Sequence, residues 1–178
     1  MKTLSHSCIA LAAIALIFSS CKKSSNNPTP NPTVVSSMKL TANGTDSNFN
    51  DCEEIEVDVN GQAQTAFTGY QVANGKHSDV SFGLNVVHAP ATLKAGQIYP
   101  MSSSIGQTNV ASMFYSANST DNYLTDLSDP QGNVTITAVT PTTISGTFSG
   151  KVYVFNNPTA TTLAYTVTNG TFIAKINK

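Results

Sequence analysis

The sequence contains no arginine and no tryptophan, and only 11% of its residues are charged. The nine basic residues are all lysine, and the formal net charge at pH 7 is -1. Arginine forks are the usual means of binding phosphate groups and paired carboxylates, and a basic stripe is the usual footprint of a nucleic-acid-binding protein. The composition therefore argues against a nucleic-acid partner, and the absence of tryptophan argues against an aromatic platform for sugar stacking.

Residues 1–20 have the layout of an export signal. Lys2 supplies a positive start, and Cys8–Phe18 forms an apolar run of about 11 residues, too short to cross a bilayer, which needs roughly 20. Two serines then precede Cys21. This Phe-Ser-Ser-Cys sequence, followed by Lys-Lys-Ser-Ser, resembles the lipobox of bacterial lipoproteins, in particular those of the Bacteroidota.

By that resemblance Cys21 is the lipid-modified first residue of the mature chain; the alternative is an ordinary cleaved secretory signal. Several acyl chains on one residue give stable anchoring, because each buried CH₂ contributes about 0.8 kcal/mol. We therefore expect Cys21 to hold the protein in the outer membrane. Lys22 and Lys23 stand where surface-exported relatives carry acidic residues, which favours the periplasmic face over the cell surface.

Residues 21–37 are expected to form a flexible tether. Ser24–Ser37 consists largely of Ser, Asn, Pro and Thr, and it has too little apolar surface to offset the entropy of ordering. The remaining residues, 38–178, number about 140, which is enough for one domain that buries roughly two-thirds of its unfolded surface.

Cysteine is scarce in the predicted mature chain, where Cys52 is the one thiol that lipidation leaves unmodified. No disulfide framework is therefore expected. Zinc needs three or four ligands, and His77 and His88 are the only histidines of the predicted mature chain. We expect no metal centre and no cofactor, an exposed His77 after a turn, and a half-buried Cys52 without a catalytic role.

Apolar residues in the predicted domain alternate with polar ones, and this period of two is typical of β-strands with one buried face. No window shows a sustained helical period. The predicted fold is all-β: an antiparallel meander that forms a β-sandwich or a lipocalin-like barrel. The predicted strands are Met38–Ala42, Ile55–Val59, Thr65–Val72, Val80–Val86, Gly96–Tyr99, Val110–Tyr115, Val134–Val139, Ile144–Gly150, Lys151–Phe155, Leu163–Val167 and Thr171–Ile176.

The dipeptide Asn-Gly occurs four times, and it suits a type I′ hairpin turn because both central residues of that turn need positive φ. A turn at Asn169-Gly170 would pair Val167 with Phe172 in an apolar hairpin. A turn at Asn74-Gly75 would place Phe67 opposite Phe82. The predicted turns are Asn43-Gly44, Asn60-Gly61, Asn74-Gly75 and Asn169-Gly170.

Three segments near the C-terminus share a recurring pattern of glycine and aromatic residues: Gly132–Thr137 (GNVTIT), Ile144–Gly150 (ISGTFSG) and Val167–Phe172 (VTNGTF). Together they resemble the C-terminal signature of a group of uncharacterised Bacteroidota lipoproteins. The motifs are structural, because glycine permits close backbone approach and the phenylalanines fill the core. The resemblance implies a β-rich envelope lipoprotein with no known reaction, and it supplies no catalytic residues.

The densest group of charges is the stretch Asp51–Val59 (DCEEIEVDV), with five carboxylates within eight residues. Ile55, Val57 and Val59 alternate with acids, so we predict a strand near a sheet edge whose apolar residues are buried and whose acids face water.

A strict two-residue turn at Asn60-Gly61 would set Glu54 beside Phe67, a predicted core residue. We therefore expect either a bulge between the two strands or their placement in different sheets.

The run just upstream is rich in oxygen ligands. Asp46, Asn48, Asn50 and Asp51 alternate in the manner of calcium-binding loops, which makes them a candidate for weak calcium binding. The alternative is a polar loop without a metal.

The favoured function is a non-enzymatic binding or structural accessory module of the cell envelope, and two other functions are considered. A lipocalin-like barrel would carry a small apolar ligand inside. A pair of carboxylates at a suitable separation would hydrolyse a glycoside. The carboxylates in question are Asp51, Glu53, Glu54, Asp121, Asp126 and Asp129.

Overall fold

The computed structural model describes residues 35–59, 62–89, 93–102, 107–118, 120–125, 130–154 and 162–177. The predicted signal sequence, Cys21, most of the tether, Asp126 and Asp129 lie outside these residues. The described part is all-β, as predicted, and none of it is helical. Its strands are β1 (Ser37–Ala42), β2 (Thr45–Phe49), β3 (Asp51–Val59), β4 (Gln62–Ala73), β5 (Lys76–His88), β6 (Ile98–Pro100), β7 (Val110–Ser116), β8 (Asn122–Thr125), β9 (Gly132–Val139), β10 (Thr143–Val154) and β11 (Leu163–Ile176).

No helix of sufficient length and hydropathy to cross a membrane occurs in the described part of the chain.

The eleven strands form one mixed sheet in which seven strands close into a ring. Around this ring the order is β3, β4, β5, β7, β8, β10, β11 and back to β3. Strands β1 and β2 extend from β11, and β9 and β6 extend from β10. The ring is not a regular barrel. The predicted meander was wholly antiparallel, whereas β11 pairs with β3 in parallel.

The interior of the ring is filled by the apolar residues that alternate along each long strand. The ring of Phe67 stacks on that of Phe172 with 4.6 Å between centroids, and Phe82 stacks on Phe148 at 5.3 Å. Such aromatic pairs contribute about 0.5–1.5 kcal/mol beyond their burial. The largest fully buried side chains are Tyr99, Phe49, Phe67, Phe82, Phe172, Met38, Leu84, Met113, Ile136, Val86, Val134 and Val152.

Two of the predicted Asn-Gly turns are confirmed. Asn43 and Gly44 have φ of 48° and 80°, and they connect paired residues Ala42 and Thr45. Asn74 and Gly75 have φ of 54° and 73° and connect β4 to β5. Positive φ at both central positions is the requirement of the type I′ turn.

The predicted hairpin at Asn169-Gly170 is wrong, because β11 runs through this dipeptide without turning. Between the pairs Thr41–Thr168 and Lys39–Thr171, β1 contributes one residue and β11 contributes Asn169 and Gly170. Asn169, with φ of 51°, is therefore the extra residue of a β-bulge.

The bulge explains why the sequence pattern favoured a hairpin. Side chains alternate between the two faces of a strand, and the extra residue shifts this alternation by one position. Val167, Gly170 and Phe172 therefore all face the core. A Cβ at Gly170 would lie 2.5 Å from the ring of Phe148, so the inward position beside the bulge has room only for glycine.

The predicted pairing of Phe67 with Phe82 is also wrong. Phe67 lies opposite Leu84, and Phe82 lies opposite Gly69. The register shifts between Tyr70 and Val72, just beyond the turn, and the shift of two residues preserves which side chains face inward.

Candidate functional site

The acidic strand β3 does not present its faces as predicted. Cys52 and Glu54 point into the core, with Cys52 fully buried and Glu54 only 6% exposed. Ile55 and Val57, predicted to be buried, are intermediate, whereas Glu56 on the inward row is exposed near the end of the strand.

The register across the β3–β4 pair causes this inversion. The pairing runs from Asp51–Tyr70 to Val59–Gln62 without a shift, so Glu54 lies directly opposite Phe67. We expected a bulge or separate sheets to prevent that juxtaposition, and both expectations are wrong. The turn residues Asn60 and Gly61 themselves lie outside the described residues.

Glu54 is held at the junction where β3 meets β11 in parallel, paired with Ile176. Burial raises the pKa of its carboxyl above the ordinary value, and the nearby charge of Glu56 raises it further. The backbone N–H of Asn177 donates a hydrogen bond to the carboxylate and partly opposes this rise. Glu54 is thus a buried acid held by the backbone of the strand that closes the ring.

Cys52 is unsuited to nucleophilic chemistry. Burial raises the pKa of its thiol far above the ordinary value, and the carboxylates of Asp51 and Glu53 raise it further. The thiolate is the reactive form of cysteine, and this environment suppresses it. The prediction of a half-buried thiol is corrected to a fully buried one.

The carboxylate of Asp51 has hydrogen-bond partners on two other segments of the chain. Ser36 Oγ donates to Asp51 Oδ1 at 2.7 Å and accepts a bond from the backbone N–H of Cys52 at 3.2 Å. His77 Nε2 lies 3.0 Å from Asp51 Oδ2, and the His77 ring stacks on Tyr70 at 4.1 Å with the ring planes 1° apart. We refer to Ser36, Asp51, His77 and Tyr70 as the entry clasp, because Ser36 immediately precedes β1.

The pKa of Asp51 reflects this clasp. Burial acts to raise the pKa, but the hydrogen bonds from Ser36 and His77 and the positive charges of His77 and Lys175 outweigh burial and leave the pKa below its ordinary value. The contact joins His77 on β5 to Asp51 on β3. Sequence reasoning missed it because the register shift in the β4–β5 hairpin is invisible in the sequence.

The entry clasp contains a serine, an aspartate and a histidine, but it does not have the connectivity of a catalytic triad. In a triad the imidazole lies between the hydroxyl and the carboxylate, so that it accepts the hydroxyl proton. Here the carboxylate of Asp51 lies between Ser36 and His77. The arrangement joins the residue before β1 to strands β3 and β5, and among the described residues it places no imidazole within reach of the Ser36 hydroxyl.

His88, the second histidine considered as a ligand, is only 3% exposed and has a partner at each ring nitrogen. Nδ1 lies 2.8 Å from the carbonyl oxygen of Ala89, which requires the nitrogen to donate, and Nε2 lies 2.9 Å from Thr65 Oγ1. This is a core histidine with its hydrogen bonds satisfied.

The calcium candidate proves to be mainly a strand. Asp46 and Asn48 lie on β2, where Thr41 Oγ1 donates to Asp46 Oδ1 at 2.8 Å. The side chain of Asn50 donates from Nδ2 to the carbonyl oxygen of Val72 and accepts at Oδ1 from the N–H of Val72. Asp51 belongs to the entry clasp. In the described ranges, no group of three or more His, Cys, Asp or Glu side chains is placed to hold a metal ion.

Asp121, a member of the proposed hydrolase pair, has a structural role. Asn118 Oδ1 accepts bonds from the backbone of Thr120 and Asp121, and Asn118 Nδ2 donates to Asp121 Oδ2 at 2.7 Å. These bonds shape the connection from β7 to β8. Asp126 and Asp129 lie outside the described residues.

One apolar crevice reaches the core residues of the ring, and it is too small for an apolar ligand. This crevice lies beside Phe82 and Val152 and has a volume of about 10 Å³, roughly the minimum that holds one water molecule. Its rim includes Tyr115 and Tyr165, which pack with Tyr123 at centroid distances of 5.1–5.7 Å. Small-molecule sites usually have volumes of about 300–1,000 Å³, so this crevice does not support a lipocalin-like carrier.

A second depression lies on the outer surface of β1, β2 and β11. It is open and polar and has a volume of about 220 Å³. Neither depression is lined by Asp51, Glu53, Glu54 or Asp121.

Comparison of the chain with protein-family models, with curated proteins and with solved structures finds no match.

Proposed function

We propose that the protein is a lipoprotein of the bacterial cell envelope, anchored in the outer membrane through Cys21, whose β-domain acts as a non-enzymatic binding or structural accessory module. The observation that carries the anchor is the order of the N-terminal features: a positive start, a short apolar run, and two serines before Cys21. The Ser, Asn and Pro-rich segment that follows gives the domain reach from a membrane surface.

The non-enzymatic role is supported by the positions of the chemically active side chains. Asp51 is bound by Ser36 and His77, and His88 is bound by Thr65 and the backbone of Ala89. These contacts commit each group to the fold, which supports a structural role for it rather than general acid–base work. Because these side chains are bound within the fold, we assign the function of the module to binding at its outer surface.

The anchor is tested by the variant Cys21→Ala. The wild-type chain is expected to incorporate a metabolically supplied palmitate analogue and to sediment with outer membranes. Cys21→Ala is expected to lose the label and to move to another fraction. Cys52→Ala is the matched control, because it removes a buried cysteine of the predicted domain and is expected to keep both label and location.

A membrane fraction and a label that are unchanged in Cys21→Ala would overturn the anchor. The face of the membrane is tested separately with a protease added to intact cells. The periplasmic location predicts that the domain is protected until the outer membrane is permeabilised, whereas digestion in intact cells would place it on the surface.

A further inference from the structure

The polar depression of about 220 Å³ on the outer surface is shaped by the bulge in β11. Asn169, the extra residue of the bulge, is exposed at its wall, and Thr171 follows two residues later on the same strand. Lys39 pairs with Thr171 on one side and with Asn48 on the other, so these side chains form one row across three strands. The shape of the depression is thus determined by the main chain of β11 and its bulge.

The chemistry of the lining is balanced. One lysine and one aspartate give it no net charge, and its remaining polar groups are hydroxyls and amides, which both donate and accept hydrogen bonds. The volume of about 220 Å³ lies just below the usual range of roughly 300–1,000 Å³ for small-molecule sites, which is room for one ring-sized polar ligand. The lining residues are Lys39, Leu40, Thr41, Asp46, Ser47, Asn48, Asn169 and Thr171.

The same lining argues against a cation as the occupant. The ammonium group of Lys39 belongs to the same depression as the carboxylate of Asp46, and Asp46 already accepts a hydrogen bond from Thr41. A calcium ion takes six to eight oxygen ligands and is held best where negative charge is in excess. The lining of the depression offers both hydrogen-bond donors and acceptors and carries no excess charge. A ligand with neutral hydroxyl groups matches this lining.

The surroundings admit a chain as well as a single ring. Beyond Thr171 the outer row continues through Thr147 on β10 and Thr135 on β9, each paired directly with its neighbour. Thr147 and Thr171 are exposed, so the surface beside the depression is a sheet face of threonine hydroxyls. A polymer with one residue in the depression would meet the exposed side chains of Thr171 and Thr147 where it crosses this face.

We propose that this depression binds one sugar residue of a neutral glycan, recognised by hydrogen bonds to its hydroxyl groups. Lys39, Asn48 and Asn169 donate, Asp46 accepts, and Thr171 does either. The proposal rests on the binding role in the proposed function and is independent of the anchor at Cys21.

The test is affinity electrophoresis of the detergent-solubilised mature protein in native gels that contain dextran, mannan, galactan or a mixed-linkage β-glucan. At least one of these four polymers is expected to retard the wild-type protein. Asn48→Ala and Thr171→Ala, at exposed positions, are each expected to weaken the retardation about five- to tenfold, the effect of losing a hydrogen bond. Asn133→Ala, exposed on β9 outside the depression, is the matched control and is expected to bind as the wild type does.

Three outcomes overturn the proposal. The first is migration unaffected by all four polymers, and the second is retardation that Asn48→Ala and Thr171→Ala leave unchanged, which would place binding elsewhere. The third is retardation that EDTA abolishes, which would assign the site to a cation. Because the Cys21→Ala experiment measures location alone, a failure here leaves the anchor proposal standing.

Discussion

Asp51 and Glu54 lie three residues apart on β3, and the fold treats their carboxyl groups in opposite ways. Asp51 is bound by a hydroxyl and an imidazole, and its pKa is lowered. Glu54 faces Phe67 in the core with one backbone donor, and its pKa is raised. Acidic residues in one short stretch therefore range from stabilising to costly, according to the face of the strand on which each lies.

The difference also separates the roles of the two carboxylates. Asp51 joins the residue before β1 to strands β3 and β5, so its charge stabilises the native fold. Glu54 is buried at the parallel junction of β3 and β11, where an apolar or neutral side chain would be more stable at neutral pH. Four changes test this contrast, from the largest expected effect to the smallest.

Cys52 shares the inward face with Glu54, and its thiol gives the largest expected effect. We expect its alkylation by iodoacetamide at pH 8 to be more than about 100-fold slower in the native protein than in urea, because the thiol is buried and its pKa is raised. Mass spectrometry of the peptide that contains Cys52 measures both rates. Equal rates would show that the inward face of β3 is open to solvent.

Asp51→Ala is expected to lower the free energy of unfolding by about 1–2 kcal/mol at pH 7, because two hydrogen bonds to a partly exposed charge are lost. A lowered native pKa stabilises the fold above the ordinary value of 3.8, and that stability is lost as the pH falls through the lower native pKa. The deficit of the variant should therefore shrink below about pH 4. Urea unfolding across this range measures it.

Asp79→Ala, at an exposed position on β5, is the control for Asp51→Ala and is expected to unfold close to the wild type. A deficit of the same size in both variants would mean that the entry clasp contributes nothing specific.

Glu54→Gln is expected to raise the free energy of unfolding at pH 7 by about 1 kcal/mol, since the amide removes a buried charge and still accepts from Asn177. A raised native pKa means that ionisation favours the unfolded chain as the pH rises from 4.5 through the native pKa. The gain should thus vanish below about pH 4 and reach its full size at neutral pH. Glu56→Gln, two residues along and exposed, is expected to gain less; an equal gain would contradict the role assigned to burial.

His77→Phe gives the smallest expected effect, a loss of about 0.5 kcal/mol, because the ring can still stack on Tyr70 while the contact with Asp51 is lost. A double-mutant cycle with Asp51→Ala measures the coupling between the two side chains. Additive effects of the two changes would show that the 3.0 Å contact does not couple them.

Much of the fold follows from local sequence patterns. Most of the strands were predicted at least in part by alternation, but β2 and β8 were not predicted. The turns at Asn43-Gly44 and Asn74-Gly75 were predicted by the φ requirement of Asn-Gly. Asn169-Gly170 is the same dipeptide and has a similar φ at Asn169, yet it forms a bulge. The reason is that β11 pairs with β10 both before and after this dipeptide, so the strand continues through it. Neither that partner nor the parallel pairing with β3 is encoded in a short window.

The candidate sites were less predictable for the same reason. The faces of β3 were assigned from its apolar residues, but the uninterrupted pairing with β4 fixes the register, and it places Glu54 against Phe67. The contact of Asp51 with His77 depends on a register shift in a different hairpin. The oxygen-rich run from Asp46 was predicted to be a loop, whereas Asp46 and Asn48 lie on β2. Their placement beside Lys39 and Thr171 depends on the full sheet.

The position of β11 in the sheet has a consequence for how the chain acquires its fold. This strand pairs with β1, β3 and β10, so the two N-terminal partners lack a shared neighbour until residues 163–176 are present. Closing the ring joins residues about 120 positions apart, and contacts of such long range make folding slow. A chain that emerges N-terminus first, from a ribosome or from a translocation pore, thus completes its sheet only when the final strand has emerged.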